Sequence, residues 1–518
     1  MSRPDDSSWP GSARIWFDVE DLIDFAERHA RPTGIQRVCY EMYRAAWEDP
    51  LLRARIGFVR HAGGGERGFV EADWAQLAAR FQSITDRPAD ALPPVPESIV
   101  ESSETARVAA APSGSTGRVR GIVRRLKRVV PERVARPGLL FAVMQVQAGL
   151  ALGSTMRRIA SHRVRNASVR SLDRLRRGKA LLLQREAPPP VETEAPRPPR
   201  RLGEIARRGD ILVVLGSPWF ELEYGELAGF VRGRLGLRLA VLVHDVIPVR
   251  RPEWVDRGTV RVFRNWYRTV LPLADLVLAN SRATAADMES WCARDGIPLA
   301  GPAHVLPLGT GFGPDAAKPG LSTPLSLPGP LLLRLGRRPY VLCVGTIEAR
   351  KNHLLLFRAW RRLMDEMGPE RVPDLVFAGK VGWLVNDLMN QIENSRNLDG
   401  KLHVIQGLDD ASLRALYDNC LFTVFPSFYE GWGLPVSESL AAGAPCICSN
   451  TTSLPEAGGT LARYFDPFDL DDAVSVIGAA IQDRQGLAEW RARVKRDFVP
   501  VGWDRTVASL REAVDALA

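Results

Sequence analysis

Cysteine is scarce in this chain, with six residues in 518: Cys39, Cys292, Cys343, Cys420, Cys446 and Cys448. So few, so widely spread, they cannot form the disulfide framework of a small secreted domain. Several lie in apolar, strand-like runs, where a reduced cysteine acts as a small hydrophobe. Cys446 and Cys448 are close in sequence, but no second pair or nearby histidine completes a zinc set. Long apolar runs are also missing. No stretch of about 18 uncharged apolar residues occurs, which argues against a membrane-spanning helix. Residues Met1 to Ser12 are polar and carry no apolar segment of the signal-peptide type. Together these absences predict a cytoplasmic location. No repeat at solenoid spacing is visible. With 45% hydrophobic and 25% charged residues, the chain is neither wholly disordered nor collagen-like. Its length allows roughly two to four domains.

Acidic residues are nearly absent from one segment. Between Ala111 and Ala180 there are 17 Arg or Lys against two acids, Glu132 and Asp173. That segment carries +15, so the net +9 leaves about −6 for the rest. Within it, Ile122, Leu126, Val129 and Val130 recur at helical spacing between arginines and a lysine, up to Pro131. The pattern reads as a short basic amphipathic helix suited to an anionic membrane surface. Simply solvated arginines would give the same composition. The segment has almost no aromatics to stack bases, so no nucleic-acid partner is expected. Pro-, Ala- and Ser-rich stretches flank it, and the whole insertion is expected over 86–208.

The rest reads as alternating strands and helices. Ile15 to Val19, Ile211 to Leu215, Leu239 to Val243 and Leu276 to Ala279 are short apolar runs of strand type. A helical stretch near Ile35 to Trp47 follows Arg31-Pro32-Thr33-Gly34. A second series comprises Tyr340 to Val344, Leu375 to Ala378, Leu402 to Ile405, Phe422 to Phe425 and Pro445 to Cys448. Such alternation predicts two α/β domains, each a doubly wound parallel sheet, with ligands in the cleft at the strand ends. The expected division is 1–85 and 209–320 for the first domain and 335–495 for the second. Residues 496–518 form a C-terminal helix that could pack back on the first domain.

Two segments carry candidate chemistry. In Val344-Gly345-Thr346-Ile347-Glu348-Ala349-Arg350-Lys351-Asn352 a strand gives way to a loop, and Asn352 can cap a helix to about Met364. Arg350 and Lys351 beside a helix N-terminus suit a diphosphate. An ordinary strand–turn–helix with a solvated cation pair fits the spacing equally. In Phe425-Pro426-Ser427-Phe428-Tyr429-Glu430-Gly431-Trp432-Gly433-Leu434-Pro435-Val436-Ser437-Glu438, a glycine loop precedes a helix with Pro435 in its first turn. Gly431 and Gly433 would let backbone amides approach a ligand. Glu430 in the loop and Glu438 in the first helical turn could face one ligand.

These segments, with the later Ala-Ala-Gly-Ala-Pro and Leu-Pro-Glu, resemble the C-terminal domain of retaining glycosyltransferase family 4, of GT-B architecture. The clear resemblance covers Tyr340 to Asp472. A weaker one runs through Thr33-Gly34-Ile35-Gln36-Arg37, His244-Asp245 and Asn280-Ser281. The resemblance implies two Rossmann-like domains facing a cleft. It implies that Lys351, helped by Arg350, holds a donor's diphosphate. Glu438 would take the ribose hydroxyls, and Glu430 would meet the transferred sugar. The amides of Gly431, Trp432, Gly433 and Leu434 would meet sugar and phosphate. His244 would approach the donor sugar from the first domain, and Gly34 marks the first domain's own glycine loop. Two positions depart from the family pattern: Thr346 replaces an arginine, and Gly34 stands alone where a glycine pair is usual.

The form GTIE-x-RKN is similar to bacterial mannosyl- and rhamnosyltransferases of surface polysaccharide assembly. It implies GDP-mannose as donor and a glycan or lipid-linked acceptor. Retention by front-face attack, with the departing phosphate taking the acceptor's proton, is the implied chemistry. No divalent metal is implied, since Asp469-Leu470-Asp471 reads as acids at a helix start. A sugar-nucleotide epimerase shares the architecture, though the glycine loop argues for transfer. A non-catalytic carbohydrate-binding or scaffold protein is the alternative from another class.

Overall fold

The strands are short and apolar because both faces of each sheet are covered by helices. In the first domain they are β1 (Ile15–Asp18), β2 (Ile56–His61), β3 (Phe69–Ala72), β4 (Ile211–Val214), β5 (Arg238–Val243), β6 (Leu276–Ala279) and β7 (His304–Val305). In the second they are β8 (Tyr340–Val344), β9 (Asp374–Ala378), β10 (Leu402–Ile405), β11 (Thr423–Phe425), β12 (Cys446–Ser449) and β13 (Arg463–Phe465). This computed structural model describes residues 13–28, 32–62, 68–85, 199–221, 223–311, 335 and 338–517. The basic segment 111–180 and most of the connection 313–338 lie outside the described residues.

The first sheet has the order β3-β2-β1-β4-β5-β6-β7, and the second β10-β9-β8-β11-β12-β13. Only β3 runs antiparallel to its neighbour. In each sheet the order reverses beside the first strand, at β1/β4 and at β8/β11. That reversal opens a crevice at the carboxyl ends of the strands, where ligands bind in doubly wound folds. The two α/β domains with the expected sheet type are therefore present.

Four strands carry little sequence signal. β3 is an antiparallel edge, β7 has two residues, β13 has three, and β2 mixes Gly57, Arg60 and His61 into its run. The expected insertion also ends earlier than 208. Leu202 is fully buried, and Glu71 N donates to the Arg200 carbonyl at 2.8 Å. Arginines at 200, 201, 207 and 208 made this stretch look continuous with the basic segment. Its backbone instead pairs with the β3 edge.

The C-terminal helix Trp503–Asp515 leaves the second domain and packs on the helix Gly34–Glu48 of the first. Trp503, Val507, Leu510 and Val514 follow helical spacing and join the first domain's core. Arg55–Asp515 at 2.7 Å and Arg511–Asp49 at 2.9 Å flank the contact. The Trp503 indole also donates to the Gly311 carbonyl at 2.9 Å. Trp503→Ala is expected to cost about 3–5 kcal/mol of first-domain stability. Denaturant unfolding followed by fluorescence of the remaining tryptophans checks this.

Candidate functional site

Residues that follow β5, β8, β9 and β11 line a cavity of 580 Å³ between the domains. Gly34, His244, Lys351, Glu430, Leu434 and Glu438 all border it, so the structure brings the sequence-derived candidates together. Its size suits a ligand larger than a monosaccharide.

The cations are not free for an anion as they stand. Glu430 lies 2.7 Å from the Arg350 guanidinium and 2.6 Å from Lys351 Nζ. Arg350 also pairs with buried Glu348 at 2.7 Å and donates to the Tyr429 carbonyl at 2.6 Å. Burial pushes the Glu430 carboxyl up, but Arg350 and Lys351 outweigh it and hold it down at about 2. Buried charges persist only when compensated in this way. Arg350 is thus a brace between two carboxylates and the Glu430 loop. Lys351 has Glu430 as its one ion-pair partner among the described residues and lies over the Phe425 ring at 4.7 Å.

Two helices start at the same cavity. Helix Gly34–Glu48 has no acid in its first turn, and the hydroxyl of its cap, Thr33, donates to the Gln36 side chain and caps no backbone N–H. Helix Leu434–Ala441 likewise has no acid in its first turn and is capped by Gly433 in the left-handed region, φ 109°. Both start at the cavity with their positive dipole ends, although in the second helix Pro435 has no N–H and the Val436 N–H donates to the Gly433 carbonyl at 2.9 Å. Asn352 was expected to cap the helix after Lys351. It occupies the cap position of His353–Met367, but its amide donates to the Pro467 carbonyl instead.

Gly431 serves a purpose the sequence did not suggest. A Cβ there would sit 2.0 Å from the His244 carbonyl oxygen of the facing domain. The glycine allows the two domains to touch backbone to backbone. The Gly431 carbonyl then accepts from Ser281 Oγ at 2.7 Å and Thr284 Oγ1 at 3.1 Å. Gly34 makes a similar close approach, with Leu434 Cδ1 3.1 Å from its Cβ position. Trp432 packs against both domains' cores.

His244 is buried, and its Nε2 lies 2.7 Å from the Leu215 carbonyl. A carbonyl only accepts, so Nε2 carries the proton and Nδ1 keeps its lone pair. Burial lowers the ring's pKa, against the Leu215 bond and Asp21, so the imidazole is neutral at pH 7. Glu438 lies one turn deeper than expected, in the second turn of helix Leu434–Ala441. It accepts from the Tyr417 hydroxyl at 2.9 Å. Burial raises its pKa, partly offset by Tyr417 and Arg37. Asp469 caps the helix Leu470–Gln482, accepting from Asp471 N at 2.8 Å.

Glu456 carried no assigned role although its Leu-Pro-Glu was visible. Its carboxylate accepts from the backbone N–H of Arg282 at 3.0 Å and of Ala283 at 2.8 Å. It thereby caps a helix of the opposite domain, Arg282–Asp295. Arg37 reaches Asp410 at 2.6 Å across the cleft, another contact that spacing alone could not reveal.

Two outcomes follow from this geometry. Glu430 has a folded pKa of about 2 against the usual 4.5, so its stabilisation is full above pH 4.5 and is lost as pH falls towards 2. Glu430→Gln should therefore flatten that part of the acid-unfolding curve. Gly431→Ala should cost about 1–3 kcal/mol through overpacking, read as a lowered Tm.

Residues 333–496 match the family model described as glycosyl transferases group 1. The serotype-specific mannosyltransferase WbdA of Escherichia coli is 29% identical over 261 residues, 50% of this chain and 31% of that protein. The O-antigen chain mannosyltransferase B of Escherichia coli is 29% identical over 260 residues, 48% of this chain and 62% of that one. The MMP alpha-(1->4)-mannosyltransferase of Mycolicibacterium hassiacum is 26% identical over 336 residues, 60% of this chain and 73% of that one. The chain thus spans about a third of the length of the first relative it matches. From residue 333 to residue 496, the chain carries a glycosyltransferase group 1 domain.

Proposed function

We propose that this chain is a retaining glycosyltransferase that moves mannose from GDP-mannose onto a glycan or lipid-linked acceptor in surface polysaccharide synthesis. The observation that carries the reading is the convergence of Lys351 and two helix N-termini without acids on one interdomain cavity. That arrangement is suited to a diphosphate. The mannosyltransferase names of the curated relatives support the sugar.

In this reading the donor's diphosphate takes Glu430's place beside Lys351. Displaced, Glu430 can accept from hydroxyls of the transferred sugar. As the bond to the anomeric carbon breaks, positive charge grows on the sugar and negative charge on the leaving diphosphate. Lys351 and the two helix ends stabilise that negative charge in a partly dry site. Arg350, held by Glu348, keeps the Glu430 loop in position. Neutral His244 offers Nδ1 as an acceptor for a sugar hydroxyl. Glu438 takes the ribose hydroxyls. The acceptor attacks from the side the diphosphate leaves, and its proton passes to the departing phosphate. The reaction takes no divalent metal. The basic segment 111–180 holds the enzyme on an anionic inner-membrane surface.

A thermal-shift panel with GDP, UDP, dTDP and ADP tests the donor. GDP at about 100 times its Kd should stabilise by roughly 2.7 kcal/mol, and Lys351→Ala should abolish the shift. Equal shifts with all four nucleotides would contradict guanine selection, and none with any would contradict the donor site. Deleting 111–180 should weaken binding to anionic vesicles, and undiminished binding would remove that segment's role.

A further inference from the structure

A second cavity, of 630 Å³, opens at the far end of the second sheet. Pro339, Asp374, Lys401 and Leu421 border it, so it lies at the amino ends of β8, β9, β10 and β11. The interdomain cavity lies beyond the carboxyl ends of β8 and β9, at Val344 and Lys380. Each of these two strands has five residues, which sets the cavities roughly 17 Å apart. They share no lining residue.

The second cavity is cationic. Arg338, Arg371, Lys401, Arg484, Arg491 and Lys495 line it, against Glu370, Asp374 and Asp418. Positive charge is therefore in excess by three. Arg371, Arg484 and Lys495 are exposed and form no ion pair among the described residues. Arg491, on the helix Arg484–Asp497, is half-buried and held by backbone. Its guanidinium donates to the Cys420 carbonyl, and to the Leu421 carbonyl at 2.9 Å. Carbonyls orient that group without neutralising its charge. Lys401 is buried, which is rare for lysine. Its Nζ donates to the Val372 carbonyl at 2.7 Å and lies 3.6 Å from Asp374 Oδ1. Asp374 is fully buried, with His403 Nε2 2.9 Å from its Oδ2. Val372, Pro373, Leu421 and Leu487 add apolar surface.

We propose that this cavity is a second ligand site, which takes the phosphate ester of a sugar or small polyol. Arg371, Arg484, Arg491 and Lys495 receive the phosphate, since an uncompensated guanidinium matches its oxygens. The Asp374 carboxylate only accepts hydrogen bonds, so it repels a second phosphate and receives a hydroxyl. One end of the ligand is thus anionic and the other hydroxylated. The volume suits a small organic molecule and far exceeds one phosphate ion. Among the described residues the lining has no aromatic side chain, so nothing there stacks a nucleobase.

The test is calorimetric titration of the full chain with mannose 6-phosphate as probe, beside inorganic phosphate and mannose. Wild type should bind mannose 6-phosphate at least about tenfold more tightly than either. Arg371→Glu with Arg484→Glu, both at exposed positions, should weaken it at least about tenfold. That variant should keep the wild-type circular dichroism and the GDP thermal shift. Lys351→Ala should bind mannose 6-phosphate as wild type does. Three results would overturn the proposal: no binding to wild type, inorganic phosphate binding equally well, or binding lost in Lys351→Ala and kept in the double variant. Binding that follows Arg371 and Arg484, with no GDP shift in any protein, would leave the second site standing and remove the donor reading.

Discussion

The chain Glu348–Arg350–Glu430–Lys351 is the interaction on which the cleft depends. Two carboxylates and two cations sit largely out of water, and each is tolerable only because the others compensate it. Removing one member strands the rest, which is why such sets are rigid. Here the rigidity fixes the loop after β11 against the loop after β8. Everything else in the cavity is placed relative to those two loops. Within the set, Glu430 keeps both cations paired.

The second constraint is the fit between domains. Gly431 meets the His244 carbonyl with no room for a side chain. Ser281, Thr284 and Glu456 then tie the glycine loop and the Leu-Pro-Glu turn to the helix Arg282–Asp295. One loop therefore answers to both domains. Its glutamate belongs to the charge set, and its glycine to the interface. A change in domain separation must move Glu430, and a ligand that displaces Glu430 must act on the interface.

Much of the fold was legible in the sequence because parallel strands buried on both faces read as apolar runs. Val213, Val241 and Leu278 show this. Strands lacking that burial, such as Arg463–Phe465, left no such signal. The gathering of Lys351, Glu430 and Leu434 in one cavity was expected from the family resemblance of the two motifs. Their partners were not, because sequence spacing says nothing about contacts between residues some eighty positions apart, such as Arg350 and Glu430. The approach of Gly431 to the His244 carbonyl was hidden for a similar reason. A glycine in a loop signals close approach, and only the facing backbone shows what approaches.

The central claim is that a donor's diphosphate replaces Glu430 at Lys351 while the interdomain contacts hold. A crystal structure of the chain with GDP tests it most directly. The account predicts the diphosphate beside Lys351 and the N-termini of the helices Gly34–Glu48 and Leu434–Ala441. Glu430 would have left Lys351, and Gly431 would still be packed on His244. A diphosphate bound elsewhere, with Glu430 still bridging Arg350 and Lys351, would contradict it.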